Sequence, residues 1–298
     1  MPAPSAPPPV LLAADDPTGL RDGVAKALAT SGSAVAHSAL APWRPGGPDG
    51  GEPGDLRRRL GRDFTRYERM TLPRMRERFA ASRLLLRHVV AAAIETAPEL
   101  VDLSYQPGGR PYVRGCDQID ISLSHTEDFL VAGVTRHGRI GVDAEHRARR
   151  MAGTGSESQA CTPFERFRLD QAGPEGRNDL LVRLWTLKES YTKARGQGLR
   201  LRFTEFGFDL TGEGVRLVRP DGTPVGEGDW SFTLFEAPGR TRGDSPARVR
   251  GDAPGEAREG YVVGTAVHDT GWSGVGGLSV ETALDQGMFA ALLGAEGS

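Results

Sequence analysis

The order of predicted elements constrains the fold most, because a long helix followed by short strands occurs twice along the chain. Apolar residues recur at spacings of three, four and seven from Pro73 to Ile94, which predicts one helix. Asp179–Arg195 predicts a second helix, which Gly196 ends. Short runs with strand patterns follow each helix, at Ile119–Ser124, Phe129–Thr135, Ile140–Glu145, Phe203–Leu210, Val215–Arg219, Trp230–Phe235 and Tyr261–Val267. We expect an α+β fold with two similar halves, each an antiparallel sheet packed on a long helix.

The ends of the chain are expected to lie outside these halves. Residues 1–54 are rich in Pro, Gly and Ala, which predicts a flexible arm holding at most a short helix near Gly19–Thr30. The two halves are expected at residues 55–145 and 146–270, with a tail at 271–298. Residues 238–260 read as a surface loop. Thr162 and Glu165 have capping-box spacing and predict the start of a short helix.

Composition excludes several classes of protein. The 298 residues have a net charge of −2, and no apolar run approaches the length of about 18 residues that a membrane span needs. The N-terminus has no basic start followed by an apolar stretch, so we expect no signal peptide. Cys116 and Cys161 form neither a disulfide scaffold nor a zinc ligand set, and a reducing cytoplasm fits best.

Lysine is scarce in this chain. Only Lys26, Lys188 and Lys193 occur among 37 Lys and Arg residues. Lys can shift its pKa and give up a proton, whereas Arg is a fixed planar cation, so two Lys within six residues suggest a role that Arg cannot fill. Glu189 and Lys193 are four apart and share a helix face. A solvated ion pair is the alternative interpretation.

Two carboxylates are expected to project together from one strand. Asp143 and Glu145 are two residues apart, so their side chains share a face. Carboxylate oxygens without nearby Cys favour Mg²⁺ or Mn²⁺ over zinc, and Glu189 is the candidate third ligand. The alternative is that Asp143 and Glu145 are ordinary charges on an exposed strand face.

Four further residues are candidates for binding phosphate. Ser124 and His125 close a strand, Arg110 lies in a tight turn, and Arg83 lies on the first long helix, where its fork could grip a phosphate. A packed histidine and a solvated arginine are the alternative readings for His125 and Arg83. Together with the acids and Lys193, these residues suit a magnesium-bound pyrophosphate substrate.

Four motifs resemble one enzyme family. Gly109-Arg110-Pro111, Ile121–Thr126 (ISLSHT), Gly141–Glu145 (GVDAE) and Trp185–Leu199 (WTLKESYTKARGQGL) occur in the order seen in 4'-phosphopantetheinyl transferases of the larger, surfactin-synthetase-activating (Sfp-like) type. The resemblance covers roughly Arg74 to Asp269. It implies a pseudo-twofold α+β monomer that holds coenzyme A between its halves. It also implies transfer of the phosphopantetheine arm to a serine of an apo acyl or peptidyl carrier protein, with release of 3',5'-ADP.

The resemblance also implies roles for single residues. Asp143, Glu145 and Glu189 match the metal-binding positions, and Lys193 matches the lysine near the scissile pyrophosphate. Glu189, directly or through water, is the candidate base for the carrier serine. Positions that hold the phosphates and adenine end of coenzyme A are matched by Ser124, His125, Arg110 and Arg83. Lys188 lies in the motif of Glu189 and Lys193 and, like Lys193, is a further candidate for binding coenzyme A.

Two other functions remain open at this point. Between Asp55 and His88 eleven arginines face four acids, so a non-catalytic module could bind an acidic carrier protein or a nucleic acid there. Aromatic residues interleaved with these arginines are sparse, which argues against nucleic acid. A magnesium-dependent nucleotide hydrolase would share the metal chemistry but would need no surface for a carrier protein.

Overall fold

A computed structural model describes residues 7–14, 16–47, 53–196, 201–212, 214–225, 229–239 and 260–269. Helices and sheets are mixed, as expected of an α+β fold. The helices are α1 (Pro17–Ser31), α2 (Leu40–Trp43), α3 (Leu56–Leu60), α4 (Asp63–Arg69), α5 (Pro73–Ala93), α6 (Gly155–Ala160), α7 (Pro163–Gln171) and α8 (Gly173–Arg195). The strands are β1 (Val10–Ala13), β2 (Ser33–Ala39), β3 (Leu103–Tyr105), β4 (Pro111–Val113), β5 (Asp120–Thr126), β6 (Phe129–Thr135), β7 (Arg139–His146), β8 (Gly207–Asp209), β9 (Arg216–Val218), β10 (Trp230–Ala237) and β11 (Tyr261–His268).

The N-terminal sheet has four strands in the order β1-β2-β6-β5. Strands β1 and β2 are parallel, and the other two pairs are antiparallel. All seven residues of β6 are buried, because β6 is central in the sheet and α5 packs against it. Helix α1 packs on α5 in turn, so the core of this part contains both helices.

The prediction of a flexible arm over residues 1–54 is wrong for residues 10–43. These residues form β1, α1, β2 and α2, and Leu20, Val24 and Trp43 are buried in the same core as α5. Proline content misled the prediction, because Pro17 lies in the first turn of α1, where the missing N–H costs nothing. Residues 1–6, 15 and 48–52 lie outside the described residues.

The C-terminal sheet has three antiparallel strands in the order β10-β11-β7. Helix α8 packs across β7 and β11, and β7 also packs against β5. Two glycines permit this close approach. A Cβ added to Gly141 would overlap the carbonyl oxygen of Ser190, and one added to Gly264 would lie 2.9 Å from that of Thr186. Residues of α8 are therefore held directly against β7.

Most element boundaries agree with the sequence predictions. Helix α5 ends one residue before the predicted end, the capping box of Thr162 and Glu165 is present, and Gly196 ends α8 in the left-handed conformation. Helix α8 begins six residues before the predicted start, because Pro174 fits the first turn of a helix. Residues 240–259 of the predicted loop and the tail 271–298 lie outside the described residues.

Hydrogen bonding assigns β7 to the C-terminal sheet, whereas the boundary between the halves at residues 145 and 146 stays a prediction.

None of the helices in the described ranges is long and apolar enough to cross a membrane.

Candidate active site

A cavity of about 340 Å³ opens where the end of β5 meets β7 and the last turns of α8. Five of the residues singled out from the sequence line it, namely Arg83, Ser124, His125, Asp143 and Lys193. Tyr105, Gly109, Pro111 and Leu123 complete the wall. Four cationic or polar side chains and one carboxylate therefore converge on one space, from elements that are far apart in the chain.

Lys193 is the centre of the site. Its Nζ donates to Asp143 Oδ1 at 2.7 Å, to Ser124 Oγ at 3.0 Å and to the Val142 carbonyl at 3.1 Å. Ser124 also donates to Asp143 Oδ1 at 2.8 Å. The predicted ion pair with Glu189 on the same helix is replaced by this pair with β7. Lys193 still keeps 30% of its side-chain surface exposed, so the ammonium can also contact a molecule in the cavity.

The strand β7 is buried on both faces, which changes the setting of the acids. Val142 and Ala144 are in the core as expected, but Asp143 and Glu145 are also buried, at 6% and 8% exposure. The interpretation of these acids as charges on an exposed face is therefore wrong. Burial, Asp143 and Glu189 raise the pKa of Glu145 to about 7, although Arg149 and Lys193 act in the opposite sense. Burial and Asp143 likewise raise the pKa of Glu189.

The three acids are not gathered into a metal-binding group. No cluster of three His, Cys, Asp or Glu side chains suited to a metal occurs in the part of the chain that the structure describes. Instead Asp143 pairs with Lys193, and Glu145 pairs with Arg149. The donor chemistry nevertheless suits a hard cation, since Asp143 Oδ2 is buried without a hydrogen bond, and burial together with the charge of Asp143 raises the pKa of Glu145 and of Glu189.

The opposite wall of the cavity is basic. Arg83 comes from α5, and its Nε donates to the Tyr105 hydroxyl at 3.1 Å. His125 follows at the end of β5 and is exposed to solvent. Partial removal from water, and then the nearby charges of Arg78, Arg83 and Lys193, lower the pKa of His125 to about 4. The imidazole is therefore neutral near pH 7 and acts there as a hydrogen-bonding group.

Two predicted binding residues have other roles. Lys188 is fully buried on the far side of α8, where its Nζ pairs with Glu165 at 2.8 Å and donates to the Phe206 carbonyl. Arg110 is buried too, and its guanidinium binds Asp120 and the carbonyls of Ile140 and Lys193. Neither side chain lines the cavity, and the roles of Lys188 and Arg110 in binding a substrate stay predictions.

Three residues at the site were missed in the sequence. Tyr105 lines the cavity, Arg149 pairs with Glu145, and Gly141 sets the distance between β7 and α8. Gly141 carried a detectable signal, because a glycine within an apolar strand indicates close backbone approach. The sequence pattern around Tyr105 and Arg149 carries no such signal. Tyr105 contacts Asp63, which is distant in the chain, and Arg149 reaches Glu145 across a turn.

Comparisons with known proteins agree with the motifs. Residues 139–246 match the family model of the 4'-phosphopantetheinyl transferase superfamily. A 4'-phosphopantetheinyl transferase of Bacillus subtilis is 29% identical over 141 residues, which cover 47% of this chain and 61% of that protein. The 4'-phosphopantetheinyl transferase HetI of Nostoc sp. is 28% identical over 149 residues, covering 49% of this chain and 63% of the relative.

A fungal relative and one solved structure extend the comparison. The L-aminoadipate-semialdehyde dehydrogenase-phosphopantetheinyl transferase of Eremothecium gossypii is 32% identical over 134 residues, covering 43% of this chain and 49% of that protein. The aligned part of this chain spans less than two thirds of the length of each of these relatives. The solved Chronobacterium ammoniagenes ACPS-CoA complex is 19% identical and covers 44% of this chain and 97% of its own, with a TM-score of 0.25. The match over residues 139–246 and the names of the curated relatives confirm the resemblance at the level of the 4'-phosphopantetheinyl transferase superfamily.

Proposed function

We propose that this protein transfers the 4'-phosphopantetheine group of coenzyme A to a serine of an apo acyl or peptidyl carrier protein, releasing 3',5'-ADP. The observation that carries the proposal is the contact of Lys193 with Asp143 and Ser124 at the cavity. Lys193 and Asp143 lie within the segment that matches the superfamily, and Ser124 lies before it. A pyrophosphate is a substrate that needs several cations at once, and this cavity presents Arg83 and Lys193 together with the donor Ser124.

The residues of the cavity account for the binding of an anionic substrate. Arg83 offers a planar fork to phosphate oxygens, and Ser124 and neutral His125 offer hydrogen bonds without repelling the cations. Lys193 lies against Asp143, which keeps its ammonium in one place. We therefore place the pyrophosphate between Arg83 and Lys193.

The transfer step follows from this placement. The carrier serine oxygen forms a bond to the phosphorus that bears the pantetheine arm, and the bond from that phosphorus to the bridging oxygen of 3',5'-ADP breaks. Lys193 neutralises the charge that develops on the leaving phosphate and is positioned to donate a proton to it. Glu189, whose raised pKa makes it a better proton acceptor, takes the serine proton directly or through water.

We include a divalent cation, Mg²⁺ or Mn²⁺, in the proposal. Asp143, Glu145 and Glu189 would hold it, and when bound it supplies charge neutralisation at the pyrophosphate. Support comes from the unpartnered Oδ2 of buried Asp143 and from the pKa of Glu145, which burial and then the charges of Asp143 and Glu189 raise. In this arrangement Arg149, whose side chain is 42% exposed, would release Glu145.

The wider setting is also a proposal. We place the chain in the larger Sfp-like type, as a monomer with pseudo-twofold halves that acts in the cytoplasm without nucleic acid or membrane. The excess of arginine between Asp55 and His88 supports an acidic protein partner. Carrier proteins of polyketide, nonribosomal peptide or fatty acid synthesis are the candidate acceptors, with those of secondary metabolism preferred.

One assay separates the candidate functions. The protein is incubated with an apo carrier protein, coenzyme A and MgCl₂, and the carrier is weighed by mass spectrometry. A gain of one phosphopantetheine unit on the acceptor serine supports the transferase. Cleavage of coenzyme A without carrier protein would support the hydrolase instead, and an unmodified carrier that merely binds would support the non-catalytic module.

A further inference from the structure

Arg83 is fixed by a half-buried hydrogen-bonded chain that starts at a buried carboxylate. Asp63 on α4 is 3% exposed and accepts from the Tyr105 hydroxyl at 2.8 Å. The same hydroxyl accepts from Arg83 Nε at 3.1 Å. A phenol has one proton to donate and lone pairs to accept with, so Asp63 determines which way the proton points and leaves an acceptor lone pair for Arg83.

The rest of the guanidinium is held in the same orientation. Arg83 Nη1 donates to Ser82 Oγ at 3.1 Å, and the guanidinium carbon lies 4.4 Å from the centre of the Phe79 ring. Arg83 Nη2 makes no hydrogen bond to any residue in the described ranges, so one edge of the fork is left for a ligand. Because Arg83 and Tyr105 both line the cavity, this edge is available to an anion there.

Among the described residues, the side chain of Asp63 accepts no hydrogen bond other than that from Tyr105. Its Oδ2 is buried without a hydrogen bond, and the nearest cation, Arg87, is 3.9 Å away. Arg87 itself donates to the carbonyls of Leu60 and Val101, which explains its burial as a link between α3 and the segment before β3. Burying a carboxylate is costly, so a carboxylate whose only hydrogen bond is to Tyr105 indicates that the orientation of Tyr105 matters.

We propose that Tyr105, oriented by Asp63, is a positioning residue that fixes Arg83 for the phosphate groups of coenzyme A. The inference rests on the proposed function, because it takes coenzyme A as the ligand of the cavity. Tyr105 contributes through Arg83, so loss of its hydroxyl should weaken substrate binding and leave the transfer step itself unchanged. On this view the affinity for coenzyme A depends on a carboxylate that never touches it.

The test compares Tyr105→Phe with Tyr112→Phe. The first change keeps the ring and removes the hydroxyl that holds Arg83, and the second removes an exposed hydroxyl on the adjacent strand β4. Titration calorimetry with coenzyme A alone should show a Kd about five- to tenfold higher for Tyr105→Phe, as expected for one lost hydrogen bond, and no change for Tyr112→Phe. In the carrier assay KM for coenzyme A should rise by the same factor with kcat unchanged.

A double-mutant cycle distinguishes positioning from direct or purely structural effects. Arg83→Ala should weaken binding at least tenfold, and adding Tyr105→Phe to it should cause no further loss. A full additional loss in the Arg83→Ala background, or an unchanged Kd in Tyr105→Phe, would overturn the proposal. If Tyr105→Phe does not fold, Asp63→Ala in the same cycle is expected to behave alike. Wild-type protein that binds no coenzyme A would instead overturn the proposed function.

Discussion

The ammonium nitrogen of Lys193 lies 2.7 Å from Oδ1 of Asp143, across the contact between α8 and β7. The two residues are 50 positions apart in the chain, and the pair joins the two most specific motifs in the sequence. Asp143 is buried, whereas Lys193 reaches the cavity. This asymmetry means that Asp143 holds Lys193 in position while the ammonium of Lys193 is exposed to the cavity.

Replacing Lys193 should remove transfer without unfolding the protein. We expect Lys193→Ala to lower kcat about 10²- to 10³-fold, because one preorganised positive group at the developing charge is lost. The rate is measured by mass spectrometry of the carrier protein. Lys193→Arg restores the charge but not the compact shape or the removable proton, and it should remain at least tenfold below wild type.

The matched control for this change is Lys26→Ala. Lys26 lies on α1, away from the cavity, and the variant should transfer at the wild-type rate. Full activity in Lys193→Ala, with circular dichroism confirming the fold, would remove Lys193 from the site.

Lys188 should behave in the opposite way. Lys188→Met leaves Glu165 buried without its cation, and breaking a buried pair of this kind costs about 3–5 kcal/mol of unfolding free energy. Urea unfolding measures that loss. The kcat of the protein that stays folded should be within about twofold of wild type, because Lys188 does not line the cavity. The double variant Lys188→Met/Glu165→Gln should recover part of the stability, and a selective loss of kcat would return Lys188 to the substrate site.

The contrast between the two lysines shows what sequence alone can predict. The helix pattern and the terminating Gly196 predicted α8, and alternation predicted β5 and β7, so the positions of Lys193 and Asp143 followed from local spacing. The burial of Lys188 depends on Glu165, which arrives from another helix. No periodicity within α8 contains that information.

The prediction of a flexible arm at the N-terminus failed for a different physical reason. Proline and glycine frequency is a statement about average stiffness, whereas Pro17 begins α1 and Gly32 ends it in the left-handed conformation. Pro17 and Gly32 therefore mark the two ends of α1 and do not interrupt it. The pairing of β1 with β2 is parallel and that of β2 with β6 joins residues about 100 apart, so neither could be inferred from neighbouring sequence.

The contribution of Glu145 to the unfolding free energy should fall as the pH rises through the range in which Glu145 titrates. Its pKa is raised from 4.5 to about 7, so between these values the folded state keeps a proton that the unfolded state releases. The unfolded state then binds fewer protons, and this contribution to the unfolding free energy decreases with pH by up to about 3 kcal/mol in total. Below pH 4.5 both states are protonated, and above pH 7 the loss is complete.

The measurement is urea unfolding from pH 4.5 to 8 in buffer with a chelator. The unfolding free energy of the wild type minus that of Glu145→Gln should fall across this range, since His125, whose pKa is lowered to about 4, contributes with the opposite sign to both proteins alike. Glu157→Gln is the control, because Arg177 lowers the pKa of Glu157 and its titration lies below this window. Equal slopes in wild type and Glu145→Gln would contradict the assignment.

Magnesium should stabilise the folded protein through Asp143. A cation that binds only the folded state raises its stability by about 2.7 kcal/mol at 100 times the Kd. After treatment with a chelator, thermal unfolding is followed at increasing MgCl₂. The wild-type Tm should rise, and that of Asp143→Asn should not. Asp170→Asn, which alters an exposed acid paired with Arg177, should respond like wild type. An equal rise in Asp143→Asn would place the cation elsewhere.

Gly141→Ala should separate the two sides of the site. An added Cβ would overlap the Ser190 carbonyl oxygen and lie 2.6 Å from the Ala194 nitrogen, so α8 must move away from β7. Overpacking of this kind costs about 1–3 kcal/mol of stability. Because Glu189 and Lys193 are on α8 and Asp143 is on β7, a shift of about 1 Å should reduce kcat about 10²-fold.

The matched control is Gly155→Ala, at a glycine with open space around its α-carbon and ordinary backbone angles. This variant should keep wild-type activity and stability. Carrier modification and urea unfolding are measured for both variants. If Gly141→Ala lost stability but kept kcat, the close contact between β7 and α8 would serve the core alone, and the alignment of Lys193 with Asp143 would not depend on it.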